Sequence, residues 1–297
     1  LTFTTSELVK NQRTRVRRSI EGTYSDIVKI MLQKELNCKK DIYIEPTSGI
    51  KRFVSPNMHP FDVIKMAASQ SISKLVSAPM VTNYIFYETI KGYHFRSLAS
   101  LYAQGSVQDY TTFVPGGSID YGGIINIERE LGNILDYEVL SGSNSLLNHT
   151  TGVYSSDLIV HNIFNKSIQK HSYGIFENFK KESHINKFHG NVNKNDFPIY
   201  SHLAIENNGK TVQDFRSRIL VTPVSQNGVT DAQHSTAKDT NPFTPNDSQN
   251  WLQPRISQMI QLEQGFLINI LTHGNTVVNA GDVVRLNLPY NAAFKTT

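Results

Sequence analysis

"HPFDVIKMAASQSISKLVSAP", His59 to Pro79, runs almost directly into "NYIFYETIKGYHFRSL", Asn83 to Leu98. In the first part Phe61, Ile64, Ala68, Ile72 and Leu75 recur every three or four residues, which gives a helix one apolar stripe. Pro60 suits a first helical turn, where its missing N–H loses no partner. Pro79 stops the pattern, so the spacing predicts a helix over 61–78. In the second part the period drops to two. Tyr84, Phe86 and Glu88 alternate with Ile85 and Tyr87, Lys91-Gly92 turns the chain, and Tyr93, Phe95 and Ser97 alternate with His94, Arg96 and Leu98. This is a β-hairpin with Gly92 at its bend. A helix that feeds an aromatic hairpin is the fold-deciding unit of the chain.

Upstream, Thr23-Tyr-Ser-Asp26 reads as an N-cap with an acid three residues on. Ile27, Met31, Leu32, Leu36 and Cys38 then give an amphipathic helix ending near Asn37. "KKDIYIEPTSGIKRFVSP" predicts a strand, a turn at Pro46 to Gly49 and a second strand. Downstream, residues 105–152 are rich in Gly and Ser, with a short helix predicted at Ile125 to Leu135. "GVYSSDLIVHNIFNKSIQKHSYGIFENF" alternates like a strand pair across Asn165-Lys166, and Ser217 to Val224 reads as a strand. Residues 225–249 carry almost no large apolar side chains and predict a long exposed loop. A helix follows over 251–263, with Pro254 in its first turn. In the closing "HGNTVVNAGDVVRLNLP", His273 to Pro289, Gly281-Asp282 reads as a tight bend that lets two strands run back along each other.

The composition excludes several classes. At 39% hydrophobic and 18% charged residues, the chain is neither disordered nor a bundle of spanning helices. Its opening on Leu1-Thr2-Phe3 predicts a fragment of a longer polypeptide. A single cysteine, Cys38, rules out an internal disulfide framework and a cysteine-based metal cluster, and fits a reducing compartment. The ten histidines include no HExxH pair. No Walker loop, GxGxxG or GxSxG is present, and "VPGGSIDYGG" lacks the lysine a phosphate cradle needs. No catalytic residue, cofactor site or metal site is therefore assigned. Arg13, Arg15, Arg17 and Arg18 form the one charge cluster. They suit phosphate contacts with nucleic acid, or solvated arginines on an alternating strand, or arginines paired across a subunit interface.

"FVSPNMHPFDVIKMAASQSIS…NYIFYETIKGYHFRSLASL" resembles the baseplate central hub protein of T-even-type contractile-tailed phages, marine myophages especially. "RISQMIQLEQGFLINILTHGNTVVNAGDVVRLNLP" is similar to the close of that family. The likeness extends over most of the chain and is weakest at 103–150 and 225–249. Broader relatives are phage late-control hub proteins and type VI secretion spike proteins. The resemblance implies an α+β, β-rich fold in which tail-tube-type β-barrels carry an α/β insertion. Residues 1–22 would be the last strand of a truncated first barrel, 23–98 the insertion, 99–150 a connecting region, and 151–297 the second barrel.

The resemblance further implies a homotrimer that joins a six-fold tail tube to a three-fold spike. Its partners would be the spike protein, tube or tube-initiator proteins and baseplate wedge proteins. DNA would pass through the lumen without sequence-specific contacts, past a mildly charged inner face. The protein would be assembled in the host cytoplasm and reside in the virion baseplate, with no membrane span. In this setting Gly92, Gly281 and Asp282 are turn residues, and Arg13, Arg15, Arg17 and Arg18 are candidates for an interface or the lumen. Two other readings stand beside it: a hub or spike of a type VI or related injection system, and a tail-associated cell-wall hydrolase.

Overall fold

Thr23 starts the first long helical segment as its side chain dictates. In the computed structural model its Oγ1 accepts from the Asp26 N–H at 3.2 Å and donates to the Asp26 carboxylate at 2.6 Å. The model describes residues 4–74, 82–112, 123, 126–141, 144–162, 166–179, 210–223, 248–263, 265 and 267–288. Helix α2 (Tyr24–Ile30) passes into a π-helical turn at Met31–Glu35, and Asn37 follows with φ 47°. Asparagine tolerates that left-handed conformation better than most residues. Ile27, Val28, Met31, Leu32 and Leu36 are all fully buried. They pack with Val63, Ile64 and Ala67 of α3 (Pro60–Gln70) and with Tyr84, Tyr93 and Phe95.

The hairpin forms as its alternation requires. Strands β4 (Tyr84–Thr89) and β5 (Gly92–Ser97) pair antiparallel around Ile90-Lys91. Short strand β2 (Ile42–Ile44) adds to β5 in parallel, and β1 (Ser19–Gly22) pairs antiparallel with β3 (Lys51–Val54). The two strands expected around Pro46 to Gly49 both exist but do not pair with each other. A parallel β2–β5 pair needs a long crossover, and β3 with α3 provides it.

Two elements differ from expectation here. Residues 1–22 were expected to give a barrel strand, yet Ser6–Arg13 form helix α1. Glu7 in its first turn and Lys10 and Arg13 in its last complement the helix dipole. Among the described residues of that range only β1 is a strand, and it belongs to the sheet with β3. Helix α3 ends at Gln70 rather than 78, because Ser71 is already extended and its hydroxyl donates to the Ala67 carbonyl at 2.7 Å. Ser73 then bridges Thr47, so backbone pairing outcompetes the helical stripe at Ile72. Pro79, like Leu75, lies outside the described residues.

Downstream, the region expected to be a connector supplies strands. After α4 (Leu98–Tyr102), β6 (Ser106–Thr112) and β7 (Asn133–Ser141) are the central strands of a four-stranded sheet. Its order is β11-β7-β6-β12, with β11 at Leu267–Thr272 and β12 at Val283–Asn287. The short helix α5 spans Ile127–Leu131 and α6 spans Ser145–Thr150. The predicted strand pair is present as antiparallel β8 (Ser155–Asn162) and β9 (Ser167–Gly174). Parallel β10 (Arg218–Pro223) completes that sheet on the other side of β8, and α7 (Ile175–Phe179) follows β9.

Helix α8 (Ser248–Glu263) packs on β8 and β9. Gln253 Nε2 donates to the Ser156 carbonyl at 3.0 Å, and the Ser257 hydroxyl to the Val153 carbonyl at 2.9 Å. It begins three residues before the expected 251, which places Pro254 inside the helix rather than in its first turn. Of the predicted loop 225–249, residues 225–247 lie outside the described set. The molecule is thus a β-rich mixed α/β chain of several sheets, and among the described residues none of them closes into a barrel.

Candidate interaction surfaces

The closing stretch does not form the expected hairpin. Strands β11 and β12 lie on opposite edges of their sheet, β11 antiparallel to β7 and β12 parallel to β6. Two apolar strands of the same chain each found a better edge than the other. The Gly281-Asp282 bend between them is real: Asn279 N–H donates to the Asp282 carboxylate at 2.8 Å, and Asp282 N–H to the Asn279 carbonyl at 3.1 Å. Gly281 has φ +89°, and a Cβ there would lie 2.4 Å from the Tyr87 hydroxyl. Gln104 Nε2 donates to the Gly281 carbonyl at 3.2 Å while its Oε1 accepts from Arg96 at 3.3 Å. The bend is therefore a clasp between the four-stranded sheet and the β4–β5 hairpin, not a seam between neighbouring strands.

Beneath the clasp lies an aromatic ladder. The His94 ring stacks on Tyr43 at 4.8 Å and on Tyr87 at 5.0 Å, one residue from each strand at the same register. Burial pushes the His94 pKa down, Arg96 and Lys91 push it the same way, and Asp282 opposes them. The His94 Nε2 lies 2.9 Å from Thr89 Oγ1. As the first residue of β5, just after the Ile90-Lys91 turn, Gly92 has φ +138°, and a Cβ there would fall 2.2 Å from the Asp41 carbonyl. That carbonyl accepts the Tyr93 N–H at 2.9 Å, so only glycine lets β2 reach β5 without strain.

The arginine cluster is exposed and partly anchored. Val16 is buried and bridges Met58, which turns Arg15 and Arg17 outward on either side. Arg15 donates to the Asn57 carbonyl at 3.2 Å and Arg17 to the Asn57 side chain at 2.6 Å. Arg18 pairs with Glu35. Arg13 is exposed at the end of α1, and among the described residues it forms no ion pair. The four arginines thus share one stretch but have different local partners. Asn57 itself is left-handed, φ 59°, in the segment between β3 and α3.

Two ion-pair groups and one histidine–carboxylate contact join residues distant in the sequence. Lys40 joins Glu7 at 3.1 Å to Glu88 at 2.5 Å and sits 5.4 Å above the Tyr93 ring. It ties α1 to the hairpin, and hydrogen bonding to Glu88 raises its pKa. Asp157, buried in β8, holds Lys170, Arg216 and Ser172, each at 2.8 Å. Burial raises its pKa, but these partners more than offset that and leave it lowered. The structure also brings His273 Nε2 to 3.3 Å from Glu130. Those residues are 143 positions apart in the sequence, so no local spacing could reveal the pair.

Among the described residues no group of three or more His, Cys, Asp and Glu side chains is placed to hold a metal ion. No described helix is long and apolar enough to cross a membrane. A depression of about 410 Å³ between α2 and β2 is lined by Lys29, Gln33, Lys40, Asp41, Ile42 and Ile44. The distinctive surfaces are instead broad: an arginine strip, an aromatic ladder and open sheet faces. No family model and no curated protein sequence matches the chain.

Proposed function

We propose that the chain is a structural subunit of a contractile tail, the central hub of the baseplate, working as a homotrimer between a six-fold tube and a three-fold spike. The observation that carries this reading is the union of sequence pattern and packing at one place. The helix-then-hairpin motif on which the resemblance rests folds as a unit, α3 against β4 and β5. The closing motif docks onto it through Gly281. The four-stranded sheet and the β10-β8-β9 sheet are, in this reading, parts of tube-type wall whose open faces and edges are covered by neighbouring copies and tail proteins.

Such a hub needs no active site. Its work is geometric: it presents rigid faces to tube, spike and wedge proteins and leaves a bore for DNA. A bore along which DNA slides must not hold phosphates, so the arginines belong away from it. The test is the mass of the protein in solution by light scattering, together with a reconstruction of the tail tip. A trimer, and three copies around the tail axis, are the expected results. A stable monomer that cleaves peptidoglycan would overturn the hub reading in favour of a tail-associated hydrolase.

A further inference from the structure

Charge divides this chain sharply. Residues 1–74 hold 13 Lys and Arg against 7 Asp and Glu, while residues 75–297 hold 16 against 18. The basic excess surfaces at Arg13, Arg15 and Arg17, which are all exposed. Arg15 and Arg17 stand two residues apart on extended backbone, roughly 6.6–6.8 Å along the chain. A complementary surface exists elsewhere on the same molecule. On β7, Asp136 and Glu138 are likewise exposed and two residues apart, and Leu140 continues that face with 52% exposure. On β11, Leu271 lies opposite Asp136 and Asn269 opposite Glu138. Leu271 is 59% exposed and Leu267 43%. Tyr137, Val139, Ile268 and Ile270, between them, are half-buried, so the exposed set is one face of the β7–β11 pair.

The Glu138–Asn269 pair lies between Asp136 and Leu271 at one end and Leu140 and Leu267 at the other, so two acids and three exposed leucines are interleaved on one face, which offers a partner both charge and apolar area. Among the described residues neither Asp136 nor Glu138 forms an ion pair, and the arginine strip does not reach them. We infer that the Arg13–Arg17 strip of one copy docks on the Asp136–Glu138 face of the next. Two different patches of one chain that fit each other make a head-to-tail contact, and such contacts close into a ring when the rotation allows. This rests on the trimeric hub reading and deepens it, by assigning the contact that joins neighbouring copies. It also removes the arginines from the bore, where they would bind passing phosphates.

The experiment is a charge swap read by mass in solution. Arg13→Glu with Arg15→Glu leaves the Arg17–Asn57 bond intact and is expected to weaken self-association by about 100-fold or more, giving monomers. Asp136→Lys with Glu138→Lys is expected to do the same. Combining all four substitutions restores the trimer. The gentler pair Asp136→Asn with Glu138→Gln is expected to weaken association and to abolish its salt dependence. Double variants that stay folded by circular dichroism and trimeric at the wild-type concentration overturn this contact while leaving a trimeric hub intact. A wild-type protein that is monomeric at every concentration overturns both.

Discussion

The helix-and-hairpin unit and the sheets that follow it solve the burial problem in opposite ways. In the first, Val16, Ile20, the α2 stripe, the α3 stripe and Tyr84, Tyr93 and Phe95 form one continuous core. Among the described residues the second cluster gathers Val153, Tyr154, Tyr173, Ile175 and Val212 as its buried members. Around it Ile219, Val221, Ile168 and Leu271 stay more than half exposed on their sheets. The difference teaches that, among the described residues, one region holds a continuous buried core while the other leaves apolar strand faces exposed, the kind of surface that suits contact between molecules.

The contrast breaks most visibly at Phe95, which is fully buried where helix, hairpin and β2 meet. Phe95→Ala is expected to cost about 3–5 kcal/mol in denaturant unfolding, through lost burial and the cavity left behind. A loss below about 1 kcal/mol would show that the core is not the unit's main support. Gly281→Ala tests the join between the regions. It combines a strained φ of +89° with displacement of the Tyr87 ring, and about 1–3 kcal/mol is expected. Because the clasp links the two regions, calorimetry of this variant is expected to show the single transition broadening or splitting. Gly105→Ala, where a Cβ meets nothing within 4 Å, is the matched control and is expected to be near neutral.

Acid sharpens the comparison, since Asp157 lies in the sheet region. Its pKa is lowered in the fold, so its stabilising contribution is complete above the unfolded value of about 4. That contribution is lost as pH falls through the lower folded value. Asp157→Asn is expected to flatten the fall of the melting temperature below about pH 4, and a profile parallel to wild type counts against the pairing. The smallest effect is expected at Val221. It is 71% exposed, and Val221→Thr is expected to shift monomer stability by no more than about 0.5 kcal/mol in the same denaturation assay. A larger loss would mean that this face is buried within the monomer.

Much of the local architecture was legible. The Thr23 cap, the α2 and α3 stripes, the β4–β5 hairpin, the β8–β9 pair and the bend at Gly281 follow from periods of 3.6 and 2 and from side chains that satisfy backbone groups nearby. Legibility failed wherever a distant strand intervened. Ile72 fits the helical stripe, but pairing of Ser73 with Thr47 ends the helix first. β6 and β7 sit amid glycines and serines that read as connector, yet they became central strands because β11 and β12 arrived to cover their edges. The candidate surfaces divide the same way. The arginines were visible as a run, whereas Asn57, which orders two of them, lies some forty residues on.

By itself the sequence determined that α2, α3 and the β4–β5 hairpin form, part of the face each turns inward, and that charge concentrates near the start. Those properties depend on contacts a few residues long. Only the tertiary structure decided which strands pair, that Gly281 grips Tyr87, that His273 meets Glu130, and that the acidic leucine-bearing face of β7 and β11 stays open. Pairing partners are chosen by competition among all available edges and faces at once, and that competition leaves no periodic trace along the chain.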